Sequence, residues 1–582
     1  MNVLLLQADS LSGFHANTHI PVVIGSQMRF KITGEELYKD ISSFLMDTIN
    51  ASHSYPTGGT SSGEFWTDPM HLGNTLSTTE TEESCTTYNM LKVSLHLFRW
   101  TRQMKYADYY ERALTNGVLS IQRGQDPGIM IYMLPMGKGN SKAISYHGWG
   151  TKFESFWCCY GTGIESFSKL GDSIYFEALD TETPSLYVTQ FVSSSFTWHL
   201  AGLILHQHIE ELSSSNGTLH ASFEFTRTED FEELYGGKNT LATLVIRIPF
   251  WVDSSNATAS LNNHDLNATL VQGDFLHISR AWQIGDKLEF SLYVLLRTEK
   301  VKDDRQMYSS LNAIFYGPYL LAGLSNGDWD LKAVDLHSVS NWVTPINDTS
   351  QEKLLSLCQM SESGDAYFLT RKHSTFAMGA PPPEGSNEAA ASTFKLVDPV
   401  AEGLVSESYL RLLIKELGRI NEEPVKPCST GTYTYHMMGD IVSIEMFDQP
   451  GTFLIIKDMA YAETIRVNAR NQRKEGYGHL GCLFQIVPGL HLPNEHVSFE
   501  SISKPGCFLY IDQDGSLRLR FGCLPAKGDE LLQRAASFLM RRPLASYDSL
   551  SFVAKGANRD YLLFPLLSLK DETYTVFFNI TA

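Results

Sequence analysis

The spacing of apolar residues divides the 582-residue chain into a helical first third and a β-rich remainder. In the first third, apolar residues recur at intervals of three and four, the period of one face of an amphipathic α-helix. One such face consists of Tyr88, Leu91, Leu95 and Phe98. The segments 106–119 and 161–170 predict two further helices, and the Gly- and Ser-rich stretch 55–63 predicts a polar loop.

From about Asp172 onward, apolar and polar residues alternate in short runs, for example at 185–189, 244–248 and 287–292. Alternation with a period of two, interrupted by turn residues, is typical of β-strands. We predict a β-sandwich up to about residue 375. The Pro- and Gly-rich stretch 379–388 has the composition of a linker.

The C-terminal part contains an internal repeat, in which the sequence VSIEM recurs as VSFES and more loosely as LSFVA. The matched segments are 442–446 with 497–501 and 550–554, 450–454 with 505–509, and 484–490 with 538–544. Three β-rich copies of about 50 residues predict a pseudo-threefold unit, for which a β-trefoil is the natural closure. A duplicated β-sandwich remains the alternative.

Composition and charge limit the classes of partner. Hydrophobic content of 43% and charged content of 19% are those of an ordinary globular protein, and the length requires several domains. A formal net charge of −19 argues against nucleic acid or anionic membranes as partners. No window of about 18 apolar residues predicts a membrane span. The first nine residues are too short and lack the basic start of a signal peptide.

The adjacent pair Cys158-Cys159 is the most informative local feature. Neighbouring cysteines form a disulfide only with strain, but both thiols can face one soft metal ion. With Glu83 and Cys85 upstream, the pair would complete a four-coordinate Zn²⁺ site. The alternative is that these cysteines are small buried hydrophobes. A second pair, Cys507 and Cys523, flanks a predicted hairpin and could form a disulfide.

A zinc-bound thiolate has two possible roles. A closed site of three cysteines and one glutamate can be purely structural. Thiolate is also the nucleophilic form of cysteine, and a metal favours it at neutral pH. Glu64, in a loop beside Phe65 and Trp66, is a candidate general acid, although a solvated loop glutamate is the simpler interpretation.

These residues carry a resemblance to glycoside hydrolase family 127, the β-L-arabinofuranosidases, in their plant form. The matching segments lie in order between residues 9 and about 175: His15–Pro21, Gly58-Gly59, Gly63-Glu64, Glu83–Cys85, Tyr109–Leu114 and Cys158-Cys159. The C-terminal repeats resemble the arabinofuranose-binding β-trefoil of carbohydrate-binding family 42.

The resemblance implies a retaining mechanism on an (α/α)6 barrel. Cys158 would be the nucleophile and Glu64 the acid and base, with a thiolate in place of the usual carboxylate. Zn²⁺ would be held by Glu83, Cys85, Cys158 and Cys159. The residues that would contact the sugar are His15, Glu111 and Tyr132. Without the resemblance, Glu111 is an ordinary helix residue and His15 a loop histidine.

The chain departs from the family pattern in two ways. The spacing between Glu64 and Glu83 is longer than in bacterial members, and the chain begins where the family's barrel is about half built, so we expect an N-terminally truncated product. The predicted fold class is multidomain α + β. The predicted domains are a partial (α/α)6 barrel at 1–175, a β-sandwich at 176–375, a linker region at 376–429 and a β-trefoil at 430–582.

The first functional hypothesis is a retaining glycosidase that releases L-arabinofuranose from cell-wall glycans or glycoproteins. Its ligands would be arabinose-containing oligosaccharides or polysaccharides, and the family implies an extracellular or cell-wall location. The alternative is a non-catalytic arabinan-binding protein in which only the trefoil functions. A thiol redox protein is disfavoured, because no C-x-x-C motif lies in a βαβ pattern.

Overall fold

A computed structural model describes residues 8–124, 126–178, 181, 183–227, 241–333, 338–416, 437–457, 461–466, 480–512, 514–523 and 529–581. The chain forms two compact units. Unit 1 comprises Met1–Pro345, Ser549–Phe552 and Leu563–Ala582, and unit 2 comprises Ile346–Asp548 and Val553–Leu562.

The described helices lie mainly in the first third of the chain. They are α1 Ala16–Thr33, α2 Glu36–Thr48, α3 Ser84–Thr101, α4 Met104–Arg112, α5 Cys158–Glu165, α6 Asn387–Ala391, α7 Glu407–Glu416 and α8 Glu530–Ala535. None of these described helices is long and apolar enough to cross a membrane.

The described strands begin at residue 175. Those before residue 346 are β1 Tyr175–Ala178, β2 Ser185–Val188, β3 Ser194–Trp198, β4 Leu203–Ile209, β5 Thr218–Arg227, β6 Leu241–Ile248, β7 Thr258–Leu261, β8 His264–Asp265, β9 Asp274–Ala281, β10 Lys287–Tyr293, β11 Leu296–Lys300, β12 Leu311–Tyr316, β13 Tyr319–Leu324, β14 Asp330–Lys332 and β15 Val343–Pro345. The later ones are β16 Leu354–Met360, β17 Ala366–Lys372, β18 Thr375–Gly379, β19 Phe394–Val397, β20 Ile441–Met446, β21 Thr452–Lys457, β22 Tyr461–Arg466, β23 Phe484–Pro488, β24 Val497–Ser501, β25 Cys507–Ile511, β26 Leu519–Cys523, β27 Leu539–Arg541, β28 Phe552–Ala554, β29 Tyr561–Pro565, β30 Tyr574–Thr575 and β31 Phe577–Thr581.

The helices of unit 1 pack around one apolar core. Ile20 of α1, Leu45 of α2, Leu91 of α3 and Tyr110 of α4 all belong to the same buried cluster. The predicted helix face at 88–98 lies on α3, with Leu91 fully buried, and so the prediction is confirmed.

The other two predicted helices are confirmed with shorter α-helical parts. The segment 106–119 begins within α4 and continues as a π-helical turn at Ala113–Val118. The segment 161–170 begins within α5 and continues as a 3-10 turn at Ser166–Lys169. The first third of the chain is therefore helical, as its apolar period indicates.

The β-rich part of unit 1 forms separate sheets. One has the order β1-β2-β6-β9 and another the order β3-β4-β5-β10-β7-β8. The three alternating runs of the sequence lie on β2, β6 and β10, which confirms them as strands. A further sheet contains the order β14-β31-β12-β13-β29, in which β31 is antiparallel to β12 and parallel to β14. Residues 563–581 therefore belong to unit 1, although the sequence predicted them as part of the C-terminal trefoil.

Six strands of unit 2 follow one another around a closed ring. β19 pairs with β16 and β20, β23 pairs with β20 and β24, and β27 pairs with β16. The ring closes where Val497 and Phe538 exchange two backbone hydrogen bonds of 2.8 Å. The intervening strands form three hairpins, β17–β18, β21–β22 and β25–β26. A disulfide joins Cys507 to Cys523 across the third hairpin, as the sequence suggested.

Three buried serines mark equivalent positions around this ring. The hydroxyl of Ser356 donates to the carbonyl of Ser392 at 2.7 Å, that of Ser443 to Cys482 at 2.8 Å, and that of Ser498 to Ala536 at 2.7 Å. Each serine is completely buried. The three structural copies therefore begin at β16, β20 and β24.

This arrangement differs from the predicted domain boundaries. The predicted copies at 442–446 and 497–501 lie on β20 and β24, but the ring takes its remaining copy from β16 and not from 550–554. The copy at β16 is not recognisable from the sequence repeat because it has Cys358 where the others have Glu445 and Glu500.

The predicted linker region is also structured where it is described. Residues 376–416 contain the end of β18, the helices α6 and α7, and β19, which is one strand of the ring. Burial of Phe394 and Leu396 of β19 in the apolar core of unit 2 explains why a segment adjoining a Pro-rich stretch is ordered. Residues 417–429 of the predicted linker lie outside the described residues.

Candidate metal and catalytic site

The N-termini of two helices bring the four predicted metal ligands together. Glu83 occupies the N-cap position of α3 and Cys85 lies in its first turn, while Cys158 and Cys159 are the first two residues of α5. The hydroxyl of Ser84 donates to the carbonyl of Cys159 at 3.3 Å and ties the two helix ends together. The partial positive charge of a helix N-terminus favours thiolate and carboxylate groups at such a position.

The ligand atoms of Glu83, Cys85, Cys158 and Cys159 all lie within 4.8 Å of one another. The sulfur of Cys85 is 3.0 Å from that of Cys159 and 3.8 Å from that of Cys158, and the sulfur of Cys159 is 3.4 Å from Oε1 of Glu83. Oε2 of Glu83 is buried and has no hydrogen-bond partner among the described residues. Because burying an unpaired carboxylate oxygen is unfavourable, this donor set fits a metal ion.

The electrostatics of the cluster are those of crowded acidic groups. Burial, assisted by the nearby Cys158 and Glu64, raises the pKa of Glu83 to about 8. Burial also raises the pKa of Cys159. In contrast, hydrogen bonds from Cys159 and Tyr132 lower the pKa of Cys158 to about 5. Cys158 is also the exposed member of the group, so it combines thiolate character with access from solvent.

Tyr132 connects the cluster to Glu64. Its hydroxyl lies 2.6 Å from Oε1 of Glu64 and 3.1 Å from the sulfur of Cys158. Because Oε1 of Glu64 and the sulfur of Cys158 both contact the Tyr132 hydroxyl oxygen, these two atoms can be no more than about 6 Å apart. This limit is compatible with the ~5–5.5 Å between the two catalytic carboxyl groups of retaining glycosidases. Burial, followed by these two hydrogen bonds, raises the pKa of Tyr132. Tyr132 therefore stays a protonated donor beside both groups.

A tight turn presents Glu64 to this site. Gly63 and Glu64 have φ of 54° and 70°, the left-handed pair of a two-residue hairpin turn between Ser62 and Phe65. The imidazole Nε2 of His15, the residue that precedes α1, lies 3.5 Å from Oε2 of Glu64. Glu64, Tyr132 and His15 are thus brought together from three separate parts of the chain.

Two segments match known family models. Residues 1–172 match the catalytic domain of the GH127 β-L-arabinofuranosidases, and residues 185–294 match the GH127 middle domain. The chain carries two GH127 domains. All four cluster residues, Glu64, Tyr132 and His15 lie within the GH127 catalytic match.

Several solved structures are similar. They include a glycoside hydrolase with 15% identity and a TM-score of 0.46, covering 64% of this chain and 60% of that one. A GH127 β-L-arabinofuranosidase from Geobacillus stearothermophilus T6 has 18% identity and a TM-score of 0.42, covering 72% and 56%. A GH127 β-arabinofuranosidase has 18% identity and a TM-score of 0.43, covering 63% and 54%. The chain thus spans less than two thirds of the length of each. No curated protein matches it in sequence.

Glu111, predicted to contact the sugar, joins the two GH127 domains. Its Oε2 accepts a hydrogen bond from the indole of Trp251 at 2.8 Å and pairs with the guanidinium of Arg247. Asp108, one turn earlier on α4, accepts from Nε of Arg247 at 3.1 Å. None of these partners belongs to the cysteine cluster. The sugar contact of Glu111 stays a prediction, and its described contacts are those of a buried ion pair.

Sequence reasoning missed three further contributors to this site. The hydroxyl of Thr162 lies 3.1 Å from the sulfur of Cys85 and donates to the carbonyl of Cys158 at 3.2 Å. Its position four residues after Cys158 on a predicted helix was an available signal. The rings of Tyr146 and His147 pack beside Tyr132, with centroids at 5.5 and 5.7 Å, and no local sequence signal places them there.

Proposed function

We propose that the protein hydrolyses β-L-arabinofuranosides with retention of configuration. The observation that carries this proposal is the single hydroxyl of Tyr132, which contacts both Glu64 and Cys158 beside the Cys/Glu cluster. One acid and one nucleophile at this separation are what a retaining mechanism needs. The GH127 domains supply the glycan class, and cell-wall glycans or glycoproteins rich in arabinose are the proposed substrates.

In the first proposed step, Glu64 protonates the glycosidic oxygen while the sulfur of Cys158 attacks the anomeric carbon. The C–O bond breaks and a C–S bond forms, and the leaving group departs as an alcohol. In the second step, Glu64 takes a proton from water, whose oxygen attacks the same carbon and releases the Cys158 thiolate. Tyr132 donates a hydrogen bond to the thiolate, and His15 orients Glu64 and contacts the sugar.

We further propose that the metal is Zn²⁺, held by Glu83, Cys85, Cys158 and Cys159. Three thiolates and one carboxylate at mutual distances within 4.8 Å support this choice. Bound Zn²⁺ would keep its thiolate ligands deprotonated at neutral pH. The residues themselves bind and orient the sugar and move the proton.

Replacing Glu64 by glutamine is expected to separate the two steps. Glu64→Gln should lower kcat/KM by roughly 10²–10⁴-fold for substrates with alkyl or sugar leaving groups, because the amide cannot donate a proton. Activated aryl arabinofuranosides should keep their first step, visible as a burst of released phenol. The control is Glu35→Gln, which alters an exposed glutamate paired with Arg29. Equal losses on both substrate types would exclude Glu64 as the general acid.

The purified chain is expected to hold about one zinc ion, with metal–sulfur distances of ~2.3 Å by X-ray absorption. Cys159→Ser should remove most of it, since a serine hydroxyl is a poor zinc ligand. Cys358→Ala serves as the control because this free cysteine lies in unit 2, on the ring strand β16. Full zinc occupancy in Cys159→Ser would contradict the proposed ligand set.

We propose that α1 to α5 are part of an (α/α)6 barrel and that unit 2 is a β-trefoil that binds arabinofuranose side chains. Support for the trefoil comes from its closed six-strand ring, its three hairpins and the three equivalent buried serines. Binding alone is the second candidate function, and it would give weak sites that act together on branched polymers. The Cys507–Cys523 disulfide supports an extracellular or cell-wall location.

A fragment of residues 346–548 is expected to unfold cooperatively and to be retarded by arabinan in affinity electrophoresis. A fragment of residues 430–582 should not fold, because it lacks β16 and β19, two of the six ring strands. Circular dichroism during heating distinguishes the two fragments. A cooperative transition in the shorter one would contradict the ring as the folding unit, and a folded longer fragment indifferent to arabinan would contradict the binding role.

A further inference from the structure

Three aromatic side chains form a rim beside the reacting groups. We define this aromatic rim as Tyr146, His147 and Trp157. The ring centroids of Tyr146 and His147 are 3.9 Å apart, and those of His147 and Trp157 are 4.9 Å apart. The ring of Tyr132 lies 5.5 Å from Tyr146 and 5.4 Å from Trp157. The rim therefore packs against the ring of the tyrosine whose hydroxyl touches both Glu64 and Cys158.

The rim is held in place by hydrogen bonds from its surroundings. The hydroxyl of Tyr160 donates to the carbonyls of His147 and Gly148 at 3.2 and 2.8 Å. The backbone N–H of Gly150 donates to the carbonyl of Met130 at 2.8 Å. His147 and Gly148 have φ of 65° and 63°, so the turn between Tyr146 and Gly150 has a defined left-handed conformation. A surface fixed before binding loses little entropy when a ligand arrives.

The outer faces of the rim are open to solvent. Trp157 is 49% exposed and Tyr146 is 36% exposed, although both rings contact the buried Tyr132. Exposed apolar surface next to polar groups is typical of ligand-binding grooves. The rim combines flat apolar faces with the phenol hydroxyl, the imidazole and the indole N–H, and it carries no carboxylate or primary amine. This combination suits a neutral, hydroxyl-rich ring, whose C–H face can lie on the aromatic rings while its hydroxyls meet their polar edges.

We propose that the aromatic rim is the leaving-group subsite and binds the sugar ring to which the terminal arabinofuranose is attached. This inference rests on the proposed function. The terminal sugar must lie between Cys158 and Glu64, at Tyr132, so that both groups can reach its anomeric carbon. The next ring of the glycan is assigned to the exposed faces of Tyr146 and Trp157, whose rings pack against the ring of Tyr132. The rim thus selects for a sugar at the leaving-group position.

Calorimetry with two ligands tests this subsite. One ligand is methyl β-L-arabinofuranoside, and the other is a sulfur-linked disaccharide with the same terminal sugar, which resists hydrolysis. The unaltered protein is expected to bind the disaccharide at least about tenfold more tightly, the scale of one good aromatic contact. Tyr146→Ala and Trp157→Ala should each lose most of that preference. Phe153→Ala is the matched control, because Phe153 lies in the same loop, is 77% exposed and should leave the preference unchanged.

The possible outcomes distinguish a failure of the proposed subsite from a failure of the proposed hydrolysis. Equal affinity of the unaltered protein for the two ligands, or no affinity for the disaccharide, overturns the subsite. An unchanged preference in Tyr146→Ala, the variant farther from Cys158 in sequence, overturns it as well. Turnover of an aryl β-L-arabinofuranoside is measured in parallel. If turnover is absent while the disaccharide preference is present and lost in Tyr146→Ala, the rim stands as a sugar-binding subsite and the proposed hydrolysis fails.

Discussion

Cys158→Ser is expected to lower kcat/KM for an aryl β-L-arabinofuranoside by about 10⁴-fold or more, the scale seen when a nucleophile is removed from an enzyme. The hydrogen bonds that lower the pKa of Cys158 to about 5 make its sulfur a thiolate at neutral pH. A serine hydroxyl in the same place stays protonated and is a poor zinc ligand. Steady-state kinetics of the two proteins give the result directly.

Two further variants identify the reason for that loss. Cys358→Ala removes a free thiol in unit 2 and should leave kcat/KM unchanged. Cys85→Ser removes a predicted ligand that is not the predicted nucleophile. Added zinc should therefore restore part of the turnover that this variant loses. Mass spectrometry should find a sugar attached to the Cys158 peptide when Glu64→Gln is mixed with an activated substrate. Retention of more than about a tenth of the activity in Cys158→Ser would show that the cluster is only structural.

Arg247→Met is expected to lower the free energy of unfolding of unit 1 by about 3–5 kcal/mol, the usual effect of removing one partner from a buried ion pair. Arg247 is completely buried on β6. Its guanidinium donates hydrogen bonds to Asp108, to Glu111 and to the carbonyl of Thr189. Without it, two carboxylates of α4 would stay in a nonpolar setting. Burial already raises the pKa of Asp108 to about 6, even with the guanidinium present.

Urea denaturation followed by tryptophan fluorescence measures this loss, and Trp251 is a suitable reporter because its indole contacts Glu111. The matched control is Arg411→Met, because Arg411 pairs with Glu407 on the surface of α7 and exposed pairs contribute at most about 1 kcal/mol. Similar effects of the two substitutions would mean that the buried pair does not hold the GH127 catalytic and middle domains together.

Local patterns predicted the secondary structure well. The helix face from Tyr88 to Phe98 and the strand around Leu244 are recognisable because burial of one face imposes a fixed period on neighbouring residues. The Cys/Glu cluster was also predictable. Only a few residue types bind soft metals, and Cys158 and Cys159 already supply two candidate ligands because they are neighbours in the sequence.

Contacts between distant segments were not predictable in the same way. Glu111 looks like a surface helix residue until Arg247, on a strand 136 residues later, is placed against it. The first ring strand of unit 2, β16, carries Cys358 where its equivalents carry Glu445 and Glu500, so the repeat is clear only from the pairing of β16 with β19 and β27. No local sequence pattern at residues 563–581 predicts that they belong to unit 1.

By itself, the sequence determined the order of helices and strands and the donor set of Glu83, Cys85, Cys158 and Cys159, because residue type and short-range period do not depend on the rest of the chain. The candidate pair of Glu64 and Cys158 came from the resemblance to GH127, since a solvated loop glutamate is the simpler interpretation of Glu64 alone. Only the tertiary structure decided that one hydroxyl, that of Tyr132, connects Glu64 to Cys158, and that the rings of Tyr146 and Trp157 pack against the ring of Tyr132. Hydrogen bonds and ring contacts act over a few ångströms, whereas the residues that make them here are separated by up to 68 positions, and folding alone brings them within reach.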